Sequence, residues 1–167
     1  MKHLDIICNN FNIQRHEIDK LLKIPKQTYE FKCTLLLKPL TKQRHRFTLA
    51  GLIYDPAGMN KRNYKKLLKQ KLPSELTEII KVKRIRKYSL SFKFTEQPDV
   101  TNADYIQKIV QKTHTQKPDI DNLAKFFMDT ANGLLYNDDC KITNLHASKE
   151  FGFVNKIDIK IKIIYER

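Results

Sequence analysis

Glycine is scarce in this 167-residue chain. There are four, and none gathers into the Gly-rich loop whose backbone N–H groups cradle nucleotide phosphates. No small-molecule cofactor is expected on that account. Cysteine is scarce too. Cys8, Cys33 and Cys140 lie far apart with no Cys-x-x-Cys pairing, which reads as reduced thiols rather than a zinc knot. His3, His16, His45, His114 and His146 are equally scattered. A lone histidine is usually a surface or satisfied core residue, so none is assigned to metal. No apolar run approaches the length of a membrane span, and no apolar h-region follows the first Met. The chain is therefore expected to be cytoplasmic and free of membranes. Internal repeats, low-complexity tracts and linkers are also missing.

Acidic residues are in deficit. Eighteen Asp and Glu face thirty-two Lys and Arg, a formal charge of +14. Such an excess points to a polyanionic partner, with nucleic acid the first candidate and an anionic membrane surface the second. The excess is local. Residues 61–93 hold twelve basic residues against Glu75 and Glu78, a net +10. Lysines at helical spacing repel one another, and a phosphate backbone relieves that repulsion while releasing counterions. In "KPLTKQRHRF", Lys42, Arg44 and Arg46 alternate, so an extended backbone points all three the same way. With Lys61, Arg62 and Lys65 they are the candidate nucleic-acid contacts.

An apolar content of 41% over 167 residues fits one domain with a real core. Residues 1–27 read as mostly helical, with Ile13, Ile18, Leu21 and Leu22 near helical spacing and Pro25 as the stop. A strand is expected over Thr28–Lys38 and a turn or short hairpin at "LAGLIYDPAG". Helices are expected over Asn60–Leu72, from Pro73-Ser74 onward, and through "NADYIQKIVQK". In Arg86–Phe94 the alternation of Tyr88, Leu90, Phe92 and Phe94 predicts a half-buried strand. The cleanest strand is the last, with Ile157, Ile159, Ile161 and Ile163 inward and Asp158, Lys160 and Lys162 toward water. Helices and strands are interspersed without strict βαβ alternation. That predicts a single α+β domain, a mixed β-sheet covered by helices, over 29–167, with 1–28 as a helical extension.

Against the positive background, Asp119, Asp121, Asp129, Asp138 and Asp139 gather in one stretch. "PDIDN" resembles a helix start capped by Asp119 or Asp121, and Asn132-Gly133 a helix stop. Between them Asp121, Lys125 and Asp129 share one face at i, i+4, i+8. Leu123, Phe126, Phe127 and Ala131 supply apolar contacts. Asp138-Asp139 opens the next strand. Asp at a helix start is commonly a cap, and Asp-Asp before a strand is commonly a turn. Alternatively, a short connection returns the strand beside the helix start and three or four carboxylates meet. Their repulsion then calls for a cation. Mg²⁺, or Mn²⁺ in its place, takes carboxylates and phosphate oxygens together.

"KPDIDNLAKFFMDTANGLLYNDDCKI" resembles the signature of the RusA family of Holliday-junction resolvases, with D-x-D-N, a lysine four residues on, the N-G turn and the D-D pair. "KQRHRFTLAGLIYDPA" resembles the family's basic loop, with His45 in place of the usual Pro. Cys140 and Lys141 stand where Ser and Gln are common. The resemblance implies a homodimeric, Mg²⁺-dependent endonuclease acting on four-way junction DNA in recombination and repair. It implies that Asp119, Asp121 and Asp139 are essential metal ligands, with Asp138 in or beside the site, and that Lys125 is the essential lysine. Two other readings stand beside it. A metal-dependent phosphatase explains the aspartates but not the basic stretch. A DNA-binding protein of the same fold, without junction-resolving activity, explains the basic stretch but not the aspartates.

Overall fold

The computed structural model describes residues 14, 20, 25–42, 46–47, 53–54, 56–99 and 104–166, with backbone alone at 46–47 and 53–54. The expected N-terminal helix lies almost entirely outside the described residues, as do Cys8, His3, His16, Arg44 and His45. Strand β1 (Lys26–Leu35) comes first, followed by the two-residue strands β2 (Arg46–Phe47) and β3 (Ile53–Tyr54). Helices α1 (Gly58–Lys71) and α2 (Ser74–Val82) lead to the long strand β4 (Ile85–Glu96). Then come α3 (Tyr105–Gln111), α4 (Ile120–Ala131), a 3-10 turn (Asp139–Lys141), β5 (Ile142–Phe151) and β6 (Lys156–Glu166). β2 and β3 pair antiparallel; β3 lies within "LAGLIYDPAG", where a turn or short hairpin is expected, whereas β2 falls upstream in the basic stretch that reads as a loop.

The main sheet has the order β1-β6-β4-β5. β6 pairs antiparallel with β1 and β4, whereas β4 and β5 are parallel. Parallel neighbours need a crossover, and α3 with α4 supplies it. The sheet is mixed, as the interspersed elements predicted. Its strands alternate as read. Tyr88, Leu90, Phe92 and Phe94 of β4 are buried, and so are Ile157, Ile159, Ile161 and Ile163 of β6.

One face of the sheet carries this apolar set, and the helices cover it. Phe127 of α4 meets Phe92 of β4 edge to face at 4.9 Å, and Phe126 meets Tyr64 of α1 at 5.3 Å. Phe127 is fully buried, so truncation to Ala costs about 3–5 kcal/mol. Helix α4, with apolar residues on one side and Asp121, Lys125 and Asp129 on the other, is thereby fixed in rotation.

Cys33 and Cys140 are free thiols, and burial pushes the Cys33 pKa up to about 11. His114 is a core histidine engaged through one ring nitrogen only, its buried Nδ1 having no partner among the described residues. Its Nε2 lies 3.1 Å from the Glu96 carboxylate, and its ring stacks on Phe151 at 4.1 Å. No helix among the described residues is long and apolar enough to cross a membrane.

Candidate active site and nucleic-acid interface

Helix α4 carries the candidate site at its two ends. The N-terminal end follows a cis Lys117–Pro118 bond. Asp119 holds the N-cap position, yet its side chain makes no capping hydrogen bond. Only its backbone carbonyl is engaged, accepting from Leu123 N at 3.1 Å. The carboxylate is thus left exposed. Asp121 is exposed in the first turn, where the helix dipole favours an anion. The loop beneath is held by Lys149 of β5, whose ammonium donates to the carbonyls of Gln116 at 2.6 Å and Pro118 at 2.7 Å.

Sequence reasoning missed Lys149, although a signal was there. It shares the strand phase of Ala147 and Phe151, on the helix-covered side, where a lysine is out of place unless its ammonium has partners.

The C-terminal end is built by a tight turn. Asn132 ends the helix and Gly133 takes φ 78°, a left-handed conformation suited to glycine. Gly133 N donates to Tyr136 O at 2.8 Å, and the Tyr136 hydroxyl donates to Met128 O at 2.7 Å. Burial, and then the Asp139 and Asp129 carboxylates, raise the Tyr136 phenol above its ordinary range. The Tyr88 hydroxyl donates to Asn137 Oδ1 at 2.9 Å and ties the next residue to the sheet. Asp138 follows. Its carboxylate accepts from Cys140 N at 3.1 Å. Hydrogen bonds from the Cys140 thiol and backbone hold its pKa below the usual carboxylate range. Asp138-Asp139 does not open the strand directly, because Asp139 begins a 3-10 turn and β5 starts at Ile142.

The two ends do not meet. β5 does return along α4, but it is its far end, at Lys149, that reaches the helix start. Ile142, beside Asp139, pairs with Tyr88, while Lys149 pairs with Phe94. Six residues of extended β4 separate those levels, roughly 20 Å. The expectation that Asp119, Asp121, Asp138 and Asp139 converge within one chain is therefore not met. Among the described residues no group of three or more His, Cys, Asp or Glu is arranged to hold a metal ion.

The five aspartates differ in their bonding. Asp129 meets Lys42 at 2.8 Å and Lys61 at 3.8 Å. Asp138 is bonded to Cys140. The side chains of Asp119, Asp121 and Asp139 have no hydrogen bond or ion pair among the described residues, and all three are exposed. Lys125 is exposed between Asp121 and Asp129 and pairs with neither.

Of the basic candidates, Lys42 runs along α4, its backbone N donating to Asn122 O at 3.2 Å. Arg62 and Lys65 are exposed on α1, and Lys61 is half-buried against α4. Arg44 lies outside the described residues, and Arg46 is described only as backbone of β2. Lys42, Lys61 and α4 form one continuous surface, with Arg62 and Lys65 beyond it.

These features define a class. It is a single α+β domain that sets exposed carboxylates on a basic surface, suited to chemistry on a polyanion. The sequence model of the RusA endodeoxyribonucleases matches residues 37–162. That span takes in most of the chain, including α4 and both of its ends, and the chain belongs to the RusA endodeoxyribonuclease family. No curated protein matches it by sequence.

Proposed function

We infer that the chain resolves four-way DNA junctions by paired symmetric nicks, as a divalent-metal-dependent homodimer acting in recombination and repair. The observation that carries this reading is the unpaired state of Asp119, Asp121 and Asp139. Asp129, on the same helix, is by contrast occupied by two lysines. Three that stay open are available as ligands. Their hard oxygen donors suit Mg²⁺ or Mn²⁺. When bound, such an ion supplies activation of water and stabilisation of the leaving oxygen of a phosphodiester.

The chain's own residues divide the other tasks. Asp119 and Asp121 project from a helix start whose loop is anchored by Lys149. Asp139 projects from a turn fixed by Tyr136 and Asn137. Lys125, one turn along α4 from Asp121, offers an uncommitted ammonium to the phosphate under attack. Asp138, whose Oδ1 accepts from Cys140 N, orients the turn and stands in or beside the metal site. Lys42, Lys61, Arg62 and Lys65 hold the DNA backbone.

Mg²⁺ binds oxygen at about 2.1 Å, and one protomer sets its aspartate pairs roughly 20 Å apart. The reading therefore includes a two-fold dimer in which a second copy supplies the carboxylates that the first lacks at each site. Two-fold symmetry also matches a substrate that needs two nicks on opposed strands. Incubation with a synthetic four-way junction and a linear duplex of the same sequence, with and without Mg²⁺, tests the function. Metal-dependent cleavage confined to the junction is expected. Binding without cleavage in either metal would leave a DNA-binding protein of RusA fold.

A further inference from the structure

Among the described residues the helices cover one face of the sheet and leave the other open. On that open face, strand register sets Lys162 beside Ser89 and Ser89 beside Asn144. One row further, Lys160 lies beside Ser91 and Ser91 beside His146. With Leu90 and Leu145 these six residues line a groove of about 320 Å³. The β6 lysines form one wall, the edge strand β5 the other, and the β4 serines the floor. No carboxylate among the described residues lines it.

The neighbouring recess on the β1 side, about 380 Å³, differs in charge. It contains Asp158, which accepts from Thr34 at 2.6 Å and meets Lys156 at 2.9 Å. In the acid-free groove Lys162 has no ion pair among the described residues. Lys160 lies 3.2 Å from Glu30 across β1. An exposed pair of that kind contributes little to stability, so a phosphate can replace Glu30 at little cost.

Three features point to a nucleic-acid backbone rather than to bases. The groove offers ammonium, hydroxyl, amide and imidazole donors, which suit phosphate oxygens. Among the described residues it has no Phe, Tyr or Trp on which a base would stack. Lys160 and Lys162 are two residues apart on one strand, roughly 7 Å, comparable to the spacing of neighbouring phosphates along a strand. The groove also has a direction. Asn144, at one end, follows Asp139 by one 3-10 turn and the first residues of β5, on the order of 15 Å at most.

We propose that this groove holds the sugar–phosphate backbone of the DNA strand leading away from the cleavage site, with Lys160 and Lys162 on successive phosphates. Ser89, Ser91, Asn144 and His146 donate to the same phosphates. The inference rests on the nuclease reading above and adds a second DNA-binding surface, on the sheet, to the helical one.

The test is a junction-binding titration without Mg²⁺ across a salt series, using the full chain, a Lys160→Ala/Lys162→Ala protein and a Lys160→Arg/Lys162→Arg protein. The alanine protein no longer neutralises two of the phosphates, so its log–log salt slope falls by about two. Its affinity at low salt drops at least about tenfold, and the arginine protein recovers both. Longer junction arms tighten binding by the parent and not by the alanine protein. An unchanged slope and unchanged arm dependence would overturn the proposal. So would weakened affinity accompanied by sedimentation as a smaller species, which would make the face an interface between copies of the chain. Cleavage by the parent separates the two readings. A parent that cuts while the alanine protein keeps its salt slope sinks the groove alone. A parent that binds as described but never cuts sinks the nuclease reading and leaves the groove standing.

Discussion

The two ends of α4 treat carboxylates differently. At the N-terminal end both aspartates are open, and the nearest strand lysine, Lys149, is bonded to backbone carbonyls instead. At the C-terminal end Asp138 is bonded by Cys140 and Asp129 by two lysines, and Asp139 alone stays open. Asp and Lys at i, i+4 on a helix ordinarily attract, yet Lys125 pairs with neither Asp121 nor Asp129. Sequence proximity to a cation therefore does not decide which carboxylate is neutralised. The direction each side chain takes from its backbone decides it. An N-cap residue that does not cap, a first-turn residue and the first residue of a 3-10 turn are all exposed, with no ion pair among the described residues.

Breaking the open set should have the largest effect. Asp121→Asn keeps size and hydrogen bonding but removes an anionic ligand. Junction cleavage in Mg²⁺ should fall by more than about 10²-fold, beyond what removal of a merely supporting group costs. Binding should be retained or tightened, because repulsion of phosphate falls. Asp139→Asn should behave alike. Mixing the two inactive proteins under conditions that exchange subunits should restore nicking, because a mixed dimer regains one intact site. Mixtures that stay dead while each variant binds DNA would place all ligands of a site within one protomer. Lys125→Ala comes next. A group that acts on the transition state lowers kcat more than affinity. A loss on the order of 10²-fold in single-turnover rate, with binding within about threefold, is expected. Lost binding with a normal rate would make Lys125 a phosphate anchor.

Much of this arrangement is legible in the sequence, for physical reasons. The strand phases of β4 and β6 follow from burial of alternate side chains. Helix α4 shows its apolar side in Leu123, Phe126, Phe127 and Ala131, all buried. Its stop at Asn132-Gly133 follows from the left-handed turn. The separation of the aspartates is not legible there. Sequence allows β5 to return along α4, but does not show which end of β5 meets which end of the helix. That depends on the turn at residues 132–141 and on the parallel register with β4. The idle side chain of Asp119 is equally hidden, since a capping residue and a ligand occupy the same place in the sequence. Nor does the linear charge count separate Lys160 and Lys162 from the more numerous lysines of residues 61–93, because their groove exists only once β4, β5 and β6 are side by side.

Salt sharpens the comparison at intermediate size. Binding through Lys42, Lys61, Arg62 and Lys65 should weaken steeply with salt, by a log–log slope of about 0.9 for each phosphate neutralised. A Lys61→Ala/Arg62→Ala/Lys65→Ala protein should show a slope shallower by up to about three such increments. A flat dependence in the parent chain would remove counterion release from the account.

The smallest effect is expected at Asp129, and it isolates what pairing means here. Asp129 lies on the same face as Asp121 and is as acidic by sequence. Its carboxylate is occupied by Lys42 and Lys61, in partly exposed ion pairs worth at most about 1 kcal/mol. Asp129→Asn should therefore leave thermal stability nearly unchanged, with a loss below about 1 kcal/mol. It should also release Lys42 toward DNA, tightening junction binding by about two- to fivefold at low salt, with the gain disappearing as salt screens it. The single-turnover cleavage rate should stay within about twofold of the parent, because no open carboxylate is removed. Thermal unfolding, titration of binding at two salt concentrations and single-turnover cleavage check the three in turn. If Asp129→Asn instead abolished cleavage as Asp121→Asn is expected to, a paired carboxylate would be a ligand after all. The division between open and occupied aspartates would then fail at the residue where the structure draws it most sharply.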